Sequence, residues 1–251
     1  MVNILLCGCN GKMGKTIVNL AHDIENANIS GGIDLQKDIF SPFPVVSSPY
    51  DFSGEVDVIL DFSHPSVTDD LLSFALDKNL PIVIATTGLS EKQRESVRVA
   101  SQKIPVFFSA NMSLGINVMI DLIKKAAAVL HQDYDIEIVE RHHNQKVDAP
   151  SGTALYLADE ISNAVPFEPI YTFERHSRRI KREKNEIGIH AVRGGNIVGD
   201  HEVIFAGESE VIEIRHSASS KNVFAEGALR AAIFMQGKSA GLYDMSSIIN
   251  A

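Results

Sequence analysis

The chain has 251 residues, 45% of them hydrophobic and 22% charged, with a formal net charge of -9 at neutral pH. That length can bury a substantial core and admits one large domain or two modest ones. The negative balance excludes a nucleic-acid or anionic-membrane binder, whose phosphates it would repel, but leaves room for a local basic pocket on a small anion.

Val2–Gly8 reads as a buried strand and the stretch from Gly14 to Ile24 as a helix. Ile29–Asp34 is a second strand and Val56–Phe62 a third. A helix opened by Ser63 and Pro65 follows, with Val67, Leu71, Leu72 and Ala75 turned inward. Pro81–Thr87 is a fourth strand. Ser90 with Gln93 makes a capping box for the next helix, and Ile104–Asn111 is a fifth strand. Strands alternating with helices predict a parallel sheet covered on both faces, a Rossmann-like α/β domain. The pattern then changes. A long apolar helix from Ser113 to about Leu130 precedes an alternating strand ending in ERHH, and another helix begins near Ser151. Ile187–Gly195, His201–Glu208 and Glu210–Ala218 are strand-like runs with short connections. They predict a second, α+β domain built on a mostly antiparallel sheet. The closing helix, from Asn222 to Lys238, returns toward the first domain. The expected domains are therefore 1–112 with 221–251, for dinucleotide binding, and 113–220, for substrate. The charged run Glu174–Glu186 reads as a mobile loop.

Cys7 and Cys9 lie in the first strand and its turn, and no other cysteine exists. A disulfide framework and a thiolate zinc site are both unexpected. No apolar run approaches the roughly 20 residues of a membrane span, and the chain opens on a strand rather than a signal peptide, so a cytoplasmic protein is expected.

Gly8, Gly11 and Gly14, in GCNGKMG, stand between a strand and a helix. Glycines there let the backbone turn tightly and approach a pyrophosphate, which sits on the free N–H groups of the helix start. Asp34 ends the second strand about 20 residues beyond Gly14, where a carboxylate accepts from the ribose hydroxyls and favours NADH. Lys12 and Lys37 leave some use of NADPH open. ATTG (Ala85–Gly88) and SANMS (Ser109–Ser113) leave the ends of parallel strands, where a nicotinamide and its ribose would pack. Each also suits an ordinary helix cap.

The unusual stretch is ERHHNQKVDAPSGT, Glu140 to Thr153. His142 and His143 are of the residue type that can give or take a proton near pH 7, Lys146 supplies a positive charge, and Ser151, Gly152 and Thr153 open a helix whose N–H groups suit a carboxylate. A proton donor, a cation and an anion site in one short segment fit reduction of a C=C or C=N bond in a small dicarboxylate. A thiol-using aldehyde enzyme would want a cysteine here, and a nicotinamide sensor would not need this grouping. The remaining histidines show no comparable clustering. Arg193 reads as a structural turn residue, and the basic residues from Arg175 to Lys184 as a solvated face.

GCNGKMG, ATTG, SANMSLGINV, ERHHNQKVDAPSGTAL, VRGGNIVGDHEVIF and GLYDM, in that order over nearly the whole chain, resemble the 4-hydroxy-tetrahydrodipicolinate reductase family. The resemblance implies an NADH- or NADPH-dependent enzyme of lysine and diaminopimelate biosynthesis. It would reduce the cyclic hydroxy-dicarboxylate with loss of water and assemble as a homotetramer through the sheet of the second domain. It implies His142 and Lys146 as the catalytic pair, without saying which delivers the proton. His143, Gly152 and Thr153 would contact the substrate carboxylate, beside Ser151. Gly8, Cys9, Asn10, Gly11, Lys12, Met13, Asp34, Ala85, Thr86, Thr87, Ser109, Ala110, Asn111 and Met112 would contact the cofactor. Ala85 replaces a glycine found in many members. Leu35 replaces an arginine that some members carry after the acidic residue, which favours NADH.

Overall fold

A computed structural model of the chain describes residues 1–36, 41–177 and 179–251; Lys37 lies outside them. These residues form two compact units, one of 1–114 with 222–251 and one of 115–221.

The first unit holds a seven-stranded sheet of β1 (Val2–Cys7), β2 (Ala27–Ile33), β3 (Val45–Val46), β4 (Val58–Asp61), β5 (Ile82–Ile84), β6 (Pro105–Phe108) and β12 (Gly241–Tyr243). Its order is β12-β6-β5-β4-β1-β2-β3 and every pairing is parallel. Both faces are covered, which is why the strands read as unbroken apolar runs. Ile4, Leu6, Leu60 and Phe107 face α1 (Lys12–Ala21) and α6 (Asn222–Met235), where Ile17, Ala228 and Leu229 meet them. Leu5, Ile59, Ile82 and Val106 face α2 (Thr68–Lys78) and α3 (Glu91–Ser101), through Leu71, Ala75 and Val97. Each such side chain, fully buried, contributes about 1.5–3 kcal/mol. The Ser90–Gln93 capping box forms as expected. The start of α2 differs: His64, not Ser63, caps a short 3-10 turn over Pro65–Val67, while Ser63 turns back to Asp61. Strand order reverses at β1, with β2 on one side and β4 on the other. A crevice opens there at the carboxyl ends of the strands.

The second unit packs α4 (Leu114–Leu130) and α5 (Gly152–Ser162) on one face of a five-stranded sheet. Its strands are β7 (Asp135–His142), β8 (Ile170–Thr172), β9 (Glu186–Arg193), β10 (Gly199–Ala206) and β11 (Val211–Ala218), in the order β11-β10-β7-β9-β8. The sheet is mixed rather than mostly antiparallel. β10 runs antiparallel to β7 and β11, whereas β9 runs parallel to β7 and β8. The helix α5 between β7 and β8 is the reason, since a helical crossover returns the chain in the same direction. The short glycine link after β9 is no hairpin. It passes the end of β7, where Gly194 N–H donates to the His142 carbonyl and Asn144 N–H to the Gly195 carbonyl, and delivers β10 to the far side of β7.

In the basic run after β8, Arg175 and Arg182 are tied down rather than merely solvated. Arg182 donates to the carboxylates of Asp135 and Glu137, each at 3.0 Å, and to the carbonyls of Ile136 and Glu186, and Arg175 pairs with Glu186. Among the described residues, no helix is long and apolar enough to cross a membrane.

Candidate active site

In the first unit, a cleft of about 840 Å³ opens along the carboxyl ends of β1, β2 and β4, lined among others by Gly8, Gly11, Asp34, Leu35 and His64. Gly8 adopts φ +79°, and a Cβ there would lie 2.5 Å from the Phe62 carbonyl oxygen. At Gly14 a Cβ would fall 2.1 Å from the Gly8 carbonyl oxygen, so only glycine lets α1 start this close to the turn. Among the described residues, no side chain caps the start of α1, whose N-cap is Gly11. Its first N–H groups are therefore the donors that an anion would use. Asp34 braces the turn: Oδ2 accepts from Asn10 N–H and Oδ1 from Gln36 N–H, both at 3.0 Å. Glycine cradle, uncapped helix start and carboxylate at the end of β2 together fit a dinucleotide.

Of the other residues expected to contact a cofactor, Lys12 is exposed and Met13 half-buried at the start of α1, whereas the side chains of Cys9 and Met112 pack into the core. Burial pushes the Cys7 thiol up to about 12 and the Cys9 thiol up to about 11, so neither is a nucleophile at neutral pH. Ala85, Thr86 and Thr87 follow β5 at the same edge of the sheet, and Thr86 Oγ1 accepts from Ser63 N–H at 3.1 Å. Ser109, Ala110 and Asn111 follow β6. There Ser109 donates to the Asn111 carbonyl and the Asn111 amide oxygen accepts from Ser113 N–H, each at 2.9 Å.

In the second unit the period of two along β7 points Ile136, Ile138, Glu140 and His142 to the same, inner face. The apolar row thus ends in a carboxylate and an imidazole. His142 Nδ1 lies 2.6 Å from Glu140 Oε2. Arg193, at the end of β9, donates to both oxygens of Glu140 at 2.7 Å, and Ser151 N–H donates to Oε1 at 2.9 Å. Burial alone would raise the Glu140 carboxyl, but Arg193, His142 and the Ser151 N–H outweigh it and hold the group below its ordinary range. Ser151 caps α5 by accepting from Ala154 N–H, and its hydroxyl lies 3.1 Å from His201 Nε2. His201 packs edge-on to His142 with ring centroids 5.2 Å apart. Burial, and then the neighbouring His142, push it down to about 4, so it is neutral at pH 7.

The loop between β7 and α5 carries the rest. Lys146 Nζ pairs with Asp148 at 2.9 Å, which holds the Asp148 carboxyl below its usual range. His143 is half-buried, with Nδ1 enclosed and without a hydrogen-bond partner among the described residues. Gly152 is exposed and Thr153 half-buried on the first turn of α5. The structure thus gathers His142, His143, Lys146 and Ser151–Thr153 at one end of the sheet. Sequence reasoning missed Glu140, Arg193 and His201. A charged residue at an inward position of an alternating strand could have flagged Glu140. Nothing local marks Arg193, which meets Glu140 only through the register pairing His142 with Arg193.

Comparison with known proteins agrees with this picture. Residues 2–112 match the family model for the dihydrodipicolinate reductase N-terminus and residues 115–249 that for its C-terminus. The chain is 51% identical to the 4-hydroxy-tetrahydrodipicolinate reductase of Clostridium tetani, over 100% of this chain and 98% of that one. It is 50% identical to the enzyme of the same name from Caldanaerobacter subterraneus, over 99% and 98%. Among solved structures, dipicolinate-bound dihydrodipicolinate reductase from Paenisporosarcina sp. superposes with a TM-score of 0.83 at 25% identity, covering 99% of both chains. The chain belongs to the dihydrodipicolinate reductase family.

Proposed function

We propose that this chain reduces 4-hydroxy-tetrahydrodipicolinate to tetrahydrodipicolinate with loss of water, in lysine and diaminopimelate biosynthesis. The observation that carries the reading is the arrangement of His142, Lys146 and the α5 start at one end of the second sheet, in a chain half identical to reductases of that name. The first unit, 1–114 with 222–251, binds the nucleotide through Gly8–Met13, Asp34, Ala85–Thr87 and Ser109–Met112, and the second, 115–221, binds the substrate.

A nicotinamide dinucleotide, when bound, supplies the hydride. The protein does the rest. The N–H groups of Gly152 and Thr153 with the Thr153 hydroxyl receive one substrate carboxylate, beside His143; Ser151, expected among these contacts, is 2% exposed, and its hydroxyl instead caps α5 and meets His201. Lys146 offsets the dianion's charge once it is drawn away from Asp148. His142 and Lys146 manage protons as the hydroxyl departs as water and hydride and proton add across the unsaturated bond.

NADH is the favoured donor. The described lining of the cleft carries Asp34 and Asp70 but no lysine or arginine, and Leu35 is 86% exposed where a cation would meet a 2′-phosphate. The chain acts in the cytoplasm as a homotetramer. Given the condensation product of aspartate semialdehyde and pyruvate, the purified protein should oxidise NADH faster than NADPH. His142→Gln and Lys146→Ala should each lower kcat by roughly 10²–10⁴-fold while leaving NADH binding intact. Wild-type rates in both would remove the assignment. Pyridine-2,6-dicarboxylate at a hundred times its Kd should stabilise the protein by about 2.7 kcal/mol.

A further inference from the structure

Among the described residues, His142 is gripped at one ring nitrogen only. Its Nδ1 meets Glu140, a carboxylate with 0% exposure, and Glu140 is itself fixed by Arg193 from β9 and by the backbone of Ser151 at the start of α5. An ionised carboxylate only accepts hydrogen bonds. Arg193 donates to both of its oxygens, so the carboxylate stays ionised, and the hydrogen in the His142–Glu140 contact belongs to Nδ1. That leaves Nε2 of the neutral ring with its lone pair. Beside Nε2 stands Gly199 of β10, where a Cβ would lie 3.1 Å from that nitrogen. Glycine there keeps the approach open.

We propose that Glu140 is the positioning residue for His142, fixing the Nδ1–H tautomer and committing Nε2 as the atom that exchanges a proton with the substrate, while Gly199 leaves Nε2 room to do so. The inference rests on the reading of His142 as an acid–base group. The other charged or titratable groups facing this ring are accounted for. Arg193 is neutralised on Glu140, His201 of β10 is uncharged and hydrogen-bonded to Ser151, and Lys146 of the following loop is paired with Asp148. His216 of β11 stands opposite His201 rather than His142, and burial lowers it as well. Among the described residues, Glu140 is the one hydrogen-bonded to the His142 ring.

Glu140→Gln is the direct test. With its amide oxygen in the place of Oε1, accepting from Ser151 N–H and Arg193 Nη2, the amide N–H₂ stands where Oε2 was, faces His142 Nδ1 and favours the opposite tautomer. In the full-length enzyme kcat should fall by about tenfold to a hundredfold, within what an acid–base group supplies, with the Kd for NADH unchanged. The alkaline limb of the pH–rate profile should move to lower pH, because a carboxylate that stabilises the imidazolium is gone and Arg193 is left unneutralised beside it. A merely structural Glu140 would lower the melting temperature and leave that limb in place. A folded Glu140→Gln enzyme with wild-type kcat and profile, alongside a crippled His142→Gln enzyme, overturns the positioning role and spares the function. A fully active His142→Gln enzyme instead overturns the function. Nitrogen-15 NMR of the wild-type protein needs no variant to fold. Nδ1 of neutral His142, assigned by its loss in His142→Gln, should carry the proton; a proton on Nε2 refutes the proposal.

Discussion

Arg193→Met tests the buried ion pair by its energy. The guanidinium holds both oxygens of Glu140 at 2.7 Å; Glu140 is 0% exposed and the Arg193 side chain 19%. Methionine keeps much of the volume and removes the charge. Breaking a buried pair from one side costs about 3–5 kcal/mol, because the other charge stays buried without its partner. His142 and the Ser151 N–H still reach Glu140, which places the expected loss at about 3 kcal/mol. For a chain of this size that is a fall in Tm of roughly 6–12 °C, read by thermal denaturation at fixed protein concentration. The pH dependence carries the sign. In the wild type Glu140 sits below its ordinary value of 4.5, so its contribution is present above that pH and is lost as pH falls through the folded value. Without Arg193, burial dominates and raises the group, so the variant's deficit should be largest near neutrality, begin to shrink as pH falls through the variant's raised folded value, and shrink further below 4.5, where the wild type loses its own contribution. Adding Glu140→Gln to Arg193→Met should recover part of the loss, since no buried charge remains. A deficit under about 1 kcal/mol, or one that grows on acidification, would refute the reasoning.

Gly14→Ala places a methyl group against the carbonyl oxygens of Gly8 and Cys9, at 2.1 and 2.6 Å, and neither is a flexible side chain. The turn must shift, costing about 1–3 kcal/mol and lowering NADH affinity at least about tenfold by titration calorimetry, as each 1.4 kcal/mol of lost binding does. Unchanged affinity would mean that the nucleotide does not use this turn. Leu35→Arg puts a guanidinium beside Asp34 at an exposed site. The ratio of NADPH to NADH affinity should rise about tenfold, a charge-assisted bond discounted for solvent; a constant ratio removes the argument for NADH preference.

Local pattern carried the five inner strands of the first unit's sheet but not its two edge strands, β3 and β12, which are only two and three residues long. Buried strands between parallel neighbours are apolar throughout, helices announce themselves by caps such as Ser90 with Gln93, and a turn that must pass close to other backbone has to be glycine, as at Gly8 and Gly14. The segment from Glu140 to Thr153 was legible for a related reason. Its histidines, lysine and helix start are neighbours in the chain, so their meeting owes little to the fold.

What the sequence could not supply is pairing at a distance. A short glycine link after β9 looks like a hairpin, yet β7 lies between β9 and β10, because strand order depends on which edges are free when the α5 crossover has packed. The same register brings Arg193 of β9 onto Glu140 of β7, and β10 sets His201 and Gly199 around His142. The sequence by itself determined which groups could do chemistry, since residue type and spacing suffice for that. Tertiary structure alone decided how Glu140 is held beside His142 and what flanks the ring, because Arg193 comes from β9 and His201 and Gly199 from β10, strands that only the folded sheet makes adjacent to β7.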